Sequence, residues 1–180
     1  DYEGAVHAML GHRMTDVDIC IPVPSQLVLE VKDVRLTATS RPISLELRKN
    51  EIVAITGLLG SGKTALAQAL FGLKPPHSGT LRLDGQTYAP ASPQQAIGRG
   101  VFKSAKDRAS NAVVAEFNLV RNMTLPFLAR YSSLSFLNRK TEKATAKTMI
   151  DSLAIVCRSE ADSIGTLSGG NQQKVMLARW

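Results

Sequence analysis

From residue 27 the pattern is strand-like, and alternating apolar and polar residues over 29–32, and again over 43–48, predict two half-exposed strands. Successive side chains of a strand point to opposite faces, so a period of two buries one face and exposes the other. We expect both strands to be antiparallel. After a turn at residues 49–50, the short apolar run 52–55 predicts a further strand that is buried on both of its faces.

Helical spacing of apolar residues begins at residue 63 and continues to residue 71, and Gly72 follows where a left-handed helix cap is expected. Residues 80–83 alternate and meet Asp84-Gly85, a dipeptide typical of a tight hairpin turn. The stretch 118–156 is predicted to be mostly helical. In this stretch we expect a buried face with Ala146, Met149, Ile150 and Leu153, and a solvent face with Lys140, Glu142, Lys143 and Lys147.

The composition is that of an ordinary globular protein. The 180 residues are 44% apolar and 21% charged, which suits one well-packed domain with a short appendage. The net charge of +7 is scattered, with no block of five like charges, and indicates at most a weak attraction to anionic surfaces. Cys20 and Cys157 are too few for a disulfide framework and too distant for metal-ligand spacing. A reducing compartment is therefore expected.

Two further features concern membrane-spanning segments and the end of the sequence. No apolar run approaches the roughly 18 residues that span a bilayer. A helical pattern continues to Trp180 without a stop signal, so we expect the sequence to be a fragment.

Residues 57–64 read G-L-L-G-S-G-K-T and match the phosphate-binding pattern G-x-x-x-x-G-K-[ST] without a mismatch. The three glycines permit backbone angles that let successive N–H groups face an anion. Lys63 adds a point charge for the β- and γ-phosphates of ATP, and the Thr64 hydroxyl is placed to ligate Mg²⁺. The predicted nucleotide-binding residues are Gly57, Leu58, Leu59, Gly60, Ser61, Gly62, Lys63, Thr64 and Ala65.

A second helix start with glycines occurs near the end of the sequence. Residues 167–174 read L-S-G-G-N-Q-Q-K, and V-M-L-A-R-W follows. Ser168 is placed to cap this helix, while Gly169 and Gly170 let a phosphate approach its free N–H groups. The sequence therefore predicts a second anion site.

With these two motifs the chain resembles the ABC ATPases, and the form L-S-G-G-N-Q-Q-K with A-R-W soon after is similar to that of the ATP-binding subunits of bacterial sugar importers. Other similar landmarks are S-P-Q-Q-A-I at 92–97, Asp107-Arg108 and N-M-T-L at 122–125. The resemblance implies an α/β P-loop NTPase of ABC type, in which a mixed sheet has an antiparallel β part beside a helical subdomain. It also implies truncation before the Walker B strand.

The same resemblance implies a domain organisation. We expect the tail of a preceding ATPase domain over 1–15, a linker over 16–26, and an incomplete ABC ATPase domain over 27–180 with a helical subdomain at about 115–167. No catalytic residue is expected within the chain, because the Walker B carboxylates and the switch histidine of the family would lie beyond Trp180.

Partners follow from the resemblance as well. It implies a head-to-tail sandwich in which residues 57–64 hold one nucleotide while the signature motif caps the γ-phosphate of another nucleotide on a second ATPase domain, of the same chain or a second copy. The signature residues are Leu167, Ser168, Gly169, Gly170 and Gln172. ATP binding and hydrolysis would drive membrane permease subunits, and the ATPase itself would lie at the cytoplasmic face of the inner membrane. A periplasmic solute-binding protein would be an indirect partner. Nucleic acid is not an expected partner.

The sequence also departs from the family pattern. No Phe, Tyr or Trp occurs between Tyr2 and Phe71, where the family usually stacks adenine, and Lys106 stands where the family has Glu or Gln. Both departures favour an alternative, a non-hydrolysing regulatory half in which ATP only clamps domains together. Another alternative, a DNA-repair ATPase with similar motifs, needs a coiled coil or zinc module between them, and neither sustained heptads nor C-x-x-C pairs occur.

Overall fold

The computed structural model describes residues 23–104, 113–133 and 136–180. It divides into two compact units, of which the first ends at Gln95 and the second begins at Ala96. The predicted tail over 1–15, most of the predicted linker, and the Lys106-Asp107-Arg108 segment lie outside the described residues. The domain boundaries expected from the sequence remain predictions.

An antiparallel sheet of four strands forms the base of the first unit. The central strand β1, Leu27–Arg35, pairs with β2, Ile43–Arg48, on one side and with β3, Ser78–Leu83, on the other. A two-residue strand β4, Gln86–Thr87, pairs with β3 at the edge, giving the order β2-β1-β3-β4. In β2 half-buried and exposed residues alternate strictly, so the prediction of half-exposed antiparallel strands is confirmed.

The turn that closes the β3–β4 hairpin has the expected conformation. Asp84 and Gly85 have positive φ angles of 50° and 73°, as a type I′ turn requires at both central positions. Leu83 then faces Gln86 across the hairpin. The predicted tight turn at Asp84-Gly85 is therefore confirmed.

A helix, α1, spans Lys63–Leu70 and contains the last two residues of the phosphate-loop motif. Leu66 and Ala69 are its buried residues. The predicted left-handed cap is present, because Gly72 has a φ of 71° and a Cβ there would lie 2.6 Å from the carbonyl oxygen of Ser92. Buried Tyr88, just beyond β4, donates a 2.7 Å hydrogen bond from its hydroxyl to the Leu70 carbonyl. This bond ties the end of α1 to the sheet.

The segment that leads into the phosphate loop differs from its prediction. Residues 51–58 form neither strand nor helix, and the side chains of Ile52 and Ile55 are 98% and 50% exposed. A strand that is buried on both faces needs hydrogen-bonded neighbours as well as covering layers. Among the described residues no strand pairs with this segment. The prediction of a doubly buried strand over 52–55 is wrong here, because an apolar run cannot supply its own pairing partners.

The second unit is mainly helical. After α2, Pro93–Gly98, come α3, Leu119–Thr124, a 3₁₀ helix, Leu125–Tyr131, and a short hairpin of β5, Ser132–Ser133, with β6, Phe136–Leu137. Helix α4, Arg139–Ser152, is followed by a second 3₁₀ helix, Ile164–Thr166, and by α5, Gly169–Ala178. The mostly helical character of 118–156 is confirmed, although the 3₁₀ helix and the hairpin interrupt it. None of the helices in the described ranges is long and apolar enough to span a bilayer.

One apolar cluster packs the helices of the second unit together. Met149, Ile150 and Leu153 of the α4 region pack against it, which confirms the buried face expected from their spacing. The buried members of the cluster are Leu119, Met123, Ala146, Ile155, Ile164, Val175 and Ala178. Residues of α3, α4 and α5 thus share one core.

Glu142 lies on the wrong face in the sequence prediction, because its side chain is buried rather than solvent-exposed. Its Oε1 accepts a 3.0 Å hydrogen bond from the Thr124 hydroxyl, and its Oε2 pairs with Arg139 at 3.1 Å. Glu142 precedes the buried Ala146 by one helical turn and therefore shares its face. The sequence prediction placed Glu142 on the solvent face because glutamate is charged, although its helical position is on the buried face. Its two partners offset the cost of burying the carboxylate.

We expect Gly79→Ala to destabilise the first unit much more than Gly85→Ala. Both glycines have positive φ, but a Cβ at Gly79 would lie 2.5 Å from the carbonyl oxygen of Asp33, whereas a Cβ at Gly85 meets nothing within 4 Å. Conformational strain alone costs about 1 kcal/mol, and the clash should raise the loss at Gly79 above about 3 kcal/mol. Equilibrium unfolding of the two variants measures the difference, and equal losses would contradict the close approach of β1 and β3.

Candidate functional site

The phosphate-loop motif forms an exposed loop that ends at the first residue of α1. Gly57, Gly60 and Gly62 have φ angles of 151°, 82° and 94°, which residues with a side chain rarely adopt. The three glycines therefore have the conformations that the sequence predicts. Gly62 is the N-cap residue of α1, and its carbonyl accepts the first helical hydrogen bond from the Leu66 N–H at 2.9 Å.

Lys63 directs its side chain back into the loop. Its Nζ donates to the Gly57 carbonyl, to the Leu58 carbonyl at 2.9 Å and to the Ser61 hydroxyl at 3.1 Å. An ammonium group has three donors and no acceptor, so all three protons have a partner. The positive charge is thus held against the backbone of the loop.

The loop closes tightly around this lysine. A Cβ at Gly57 would lie 2.8 Å from the Ser61 hydroxyl oxygen and 3.7 Å from Lys63 Nζ, so only glycine fits without a shift. Leu58 and Leu59 at the tip are 86% and 96% exposed. Thr64 is exposed in the first turn of α1, and Ala65 beside it is half-buried. A turn of this shape, with a lysine and a helix start, has the donors that a chain of phosphates requires.

The signature motif forms the beginning of α5. Leu167 precedes the helix, Ser168 is its N-cap residue, and Gly169 and Gly170 occupy the first turn. Ser168 and both glycines are exposed. The prediction that the Ser168 side chain caps the helix is wrong, because its hydroxyl makes no capping hydrogen bond and instead accepts one from Asn171 Nδ2 at 3.0 Å.

Polar side chains of α5 attach the start of the helix to neighbouring segments of the same unit. Gln172 Nε2 donates to the carbonyls of Ile164 and Leu167 at 3.2 and 3.1 Å. Lys174 Nζ donates to the Ala154 carbonyl at 2.7 Å. Gln172 therefore uses its amide on its own chain, and its expected contact with a second nucleotide stays a prediction.

The other end of α5 is held by a buried asparagine that lies in the N-M-T-L landmark. The Asn122 side chain accepts from the Val114 N–H at 2.9 Å and donates to the carbonyls of Val114 and Phe117 at 3.0 and 3.1 Å. Arg179, just after α5, donates from Nε to the Asn122 carbonyl at 3.0 Å and from Nη2 to Asn122 Oδ1 at 3.3 Å. Burial lowers the pKa of Arg179 from its ordinary value, because desolvation disfavours the charged form.

Three residues of this arrangement were not among the site residues predicted from the sequence: Asn122, Asn171 and Arg179. Asn122 and Arg179 stand in short motifs whose similarity to the family was noted, but their mutual contact spans 57 positions. The sequence signal that points to Asn122 is its helical spacing from the apolar Leu119 and Met123, which places an amide on the buried side of α3, where amides require partners.

Comparison with known proteins places both motifs in one family. A family model described as "ABC transporter" matches residues 40–180, which contain the phosphate loop and the signature motif. The chain belongs to the ABC transporter family.

Curated relatives agree with this assignment. The chain is 35% identical over 180 residues to "Ribose import ATP-binding protein RbsA 2" of Rubrobacter xylanophilus and 38% identical over 179 residues to "Ribose import ATP-binding protein RbsA" of Pseudomonas putida. Each match covers 99% of this chain and 35% of the relative. The chain thus spans about a third of the length of these relatives.

Solved structures are similar at the level of the fold. The ATP-binding cassette MJ1267 of an ABC transporter matches with a TM-score of 0.70 and 16% identity, over 86% of this chain and 64% of that chain. The dimeric cassette MJ0796, in a post-hydrolysis state with ADP and Pi, matches with a TM-score of 0.64 and 20% identity, over 84% and 68%. The predicted ABC-type P-loop fold is confirmed.

We expect substitutions at the Asn122–Arg179 contact to destabilise the second unit in a graded way. Asn122→Ala leaves several buried backbone groups without partners and should cost about 3 kcal/mol, while Arg179→Ala should cost about 1 to 2 kcal/mol. Lys140→Ala, at an exposed position of α4, is the control and should change stability by less than about 0.5 kcal/mol.

Trp180 provides the measurement, because it is the one tryptophan of the 180 residues and stacks on Phe102 with ring centroids 5.2 Å apart. Its fluorescence during urea unfolding should report the second unit directly. If Asn122→Ala unfolds at the same urea concentration as Lys140→Ala, the buried network does not stabilise this unit.

Proposed function

We propose that the loop of residues 57–64, with the start of α1, binds the phosphates of ATP, and that the full-length protein hydrolyses ATP to power import of a monosaccharide-like solute through membrane subunits. The observation that carries this proposal is the Lys63 ammonium, held in a loop of three glycines with positive φ at a helix N-terminus. Each of these features favours a bound anion.

The binding roles follow from the groups at the loop. The N–H groups in the first turn of α1 have no acceptor within the helix, and the loop residues 57–62 lead directly into that turn. Lys63 Nζ exchanges its carbonyl partners for oxygens of the β- and γ-phosphates, and the exposed Thr64 hydroxyl offers an oxygen ligand of the type that Mg²⁺ accepts. Bound ATP with Mg²⁺ would supply the bond between the β- and γ-phosphates, whose hydrolysis to ADP and phosphate provides the energy.

The signature motif takes a separate role in this proposal. Leu167, Ser168, Gly169, Gly170 and Gln172 belong to the surface that meets the nucleotide of a second ATPase domain, in the same polypeptide or in a second copy. The exposure of Ser168 and both glycines at the start of α5 supports this role.

The transport role rests on the relatives. Two curated relatives are named as ribose import ATP-binding proteins, and similarity to them extends over 99% of this chain. We infer a cytoplasmic position at the inner membrane, with permease subunits as direct partners and a periplasmic solute-binding protein as an indirect one. The solute is proposed only as a class, monosaccharide-like.

We expect Lys63→Ala to weaken binding of Mg-ATP by about 1.5 to 3 kcal/mol, the range for a hydrogen bond to a charged group. The corresponding dissociation constant should rise roughly 10- to 150-fold. Titration calorimetry of the full-length protein measures it, with Lys74→Ala, an exposed lysine that follows α1, as the matched control. Equal affinities of the two variants would remove Lys63 from the site.

A second candidate, the regulatory half, is favoured by two features of the sequence: no Phe, Tyr or Trp occurs between Tyr2 and Phe71, and Lys106 stands where the family has Glu or Gln. The same Lys63→Ala variant separates the two candidates in the assembled transporter. A hydrolysing site should lose most steady-state phosphate release with Lys63, whereas a regulatory site should leave considerable hydrolysis behind.

A further inference from the structure

Three groups lie in a hydrogen-bonded row beside the start of α5. The backbone N–H of Val156, in the loop after α4, donates to Asn171 Oδ1 at 2.9 Å. Asn171 Nδ2 in turn donates to the Ser168 hydroxyl oxygen at 3.0 Å. The row thus runs from the Val156 backbone through one amide side chain to the exposed hydroxyl of the signature motif.

The chemistry of these groups fixes the direction of both bonds. A backbone N–H can only donate, so the amide atom that faces Val156 must be the oxygen. The NH₂ group of Asn171 then faces Ser168, and because it can only donate, the hydroxyl oxygen must accept. A hydroxyl has a single proton, and that of Ser168 is left for an acceptor other than Asn171.

The two groups at the ends of the row, the Val156 N–H and the Ser168 hydroxyl, make no hydrogen bond to the backbone of α5. The Ser168 hydroxyl makes no capping bond to the backbone of α5. Lys174 and Gln172 hold the first two turns of the helix to the Ala154 carbonyl and to the carbonyls of Ile164 and Leu167. The Asn171 oxygen accepts from the Val156 N–H and the Asn171 nitrogen donates to Ser168. A reversed amide would place its NH₂ group against the Val156 N–H and lose that bond.

We propose that Asn171 is a positioning residue that holds the Ser168 hydroxyl as a hydrogen-bond donor toward a γ-phosphate oxygen of the nucleotide on the second ATPase domain. The inference rests on the proposed function and adds the direction of the proton to it. Phosphate oxygens at neutral pH are acceptors, so a serine whose proton is used elsewhere would present a lone pair to them and repel them.

The decisive variant is Asn171→Asp in the full-length protein. Aspartate has nearly the same shape, and one of its oxygens can still accept from the Val156 N–H, so the fold should be retained. Its second oxygen accepts a hydrogen bond from the Ser168 hydroxyl, so the hydroxyl proton no longer points toward the phosphate. We expect kcat/KM for Mg-ATP to fall about tenfold or more, the value of one charge-assisted hydrogen bond, while the dissociation constant for Mg-ADP, which lacks the γ-phosphate, stays within about twofold.

Gln173→Glu is the control for charge alone, because it adds the same charge two positions further along the same helix, at an exposed side chain. The loss in Asn171→Asp should clearly exceed that in Gln173→Glu. Asn171→Ala is a second variant that frees the serine without reversing its bond, and its loss should be smaller than that of Asn171→Asp. Equal losses for Asn171→Asp and Gln173→Glu would overturn the inference.

A double-mutant cycle with Ser168→Ala supplies the readout that a purely structural role would not change. If Asn171 acts through the serine proton, Asn171→Asp should add less than about twofold once the hydroxyl is removed, because interacting residues are not additive. If the full tenfold loss persists in the Ser168→Ala background, Asn171 does not act through the hydroxyl.

Failure of the inference and failure of the proposed function give different results. A full-length protein that binds no Mg-ATP in a Lys63-dependent manner overturns both together. A protein whose hydrolysis depends on Lys63, but whose Asn171→Asp and Gln173→Glu variants behave alike, overturns only the role of Asn171.

Discussion

Backbone N–H groups at the start of a helix have no acceptor within that helix. Among the described residues, α3 and α4 differ from the two motif helices, α1 and α5, in how these groups are capped. Helices α3 and α4 begin at Asn118 and Asn138, whose side chains accept from the N–H groups of Arg121 and Thr141. Helices α1 and α5 have no side-chain cap, since Gly62 lacks a side chain and the Ser168 hydroxyl bonds elsewhere. The two motif helices thus begin without a side-chain cap.

A helix that leaves its start uncapped must be fixed by other contacts. In α5 the apolar side of the helix contributes Val175 and Ala178 to the common cluster, which provides the main stabilisation but little orientational precision. Hydrogen bonds supply the direction: Gln172 and Lys174 bind carbonyls near the start, and Arg179 binds Asn122 near the end. The exposed signature residues are therefore presented by a helix that is held at both ends.

The buried polar groups of the second unit follow one rule, which is that each has a specific partner. Among the described residues no buried side-chain nitrogen or oxygen lacks a hydrogen bond. Glu142 is paired with Thr124 and Arg139, and Asn122 with backbone groups of the preceding loop. Such pairs are costly to break one partner at a time, so they fix which surfaces of the helices face each other.

The sequence alone determined the local features. Strands β1 and β2, helix α1, the hairpin turn at Asp84-Gly85 and the positive φ angles of the three loop glycines depend on a few neighbouring residues, and the patterns that predict them are equally short. Membership of the family followed from two motifs of eight residues each. Tertiary structure decided the rest: the exposure of 52–55, the burial of Glu142, the contact of Arg179 with Asn122 and the hydrogen-bonded row from Val156 to Ser168. Each of these depends on a partner that is distant in sequence, and a residue pattern records only the preference for a partner, not which residue the fold places beside it.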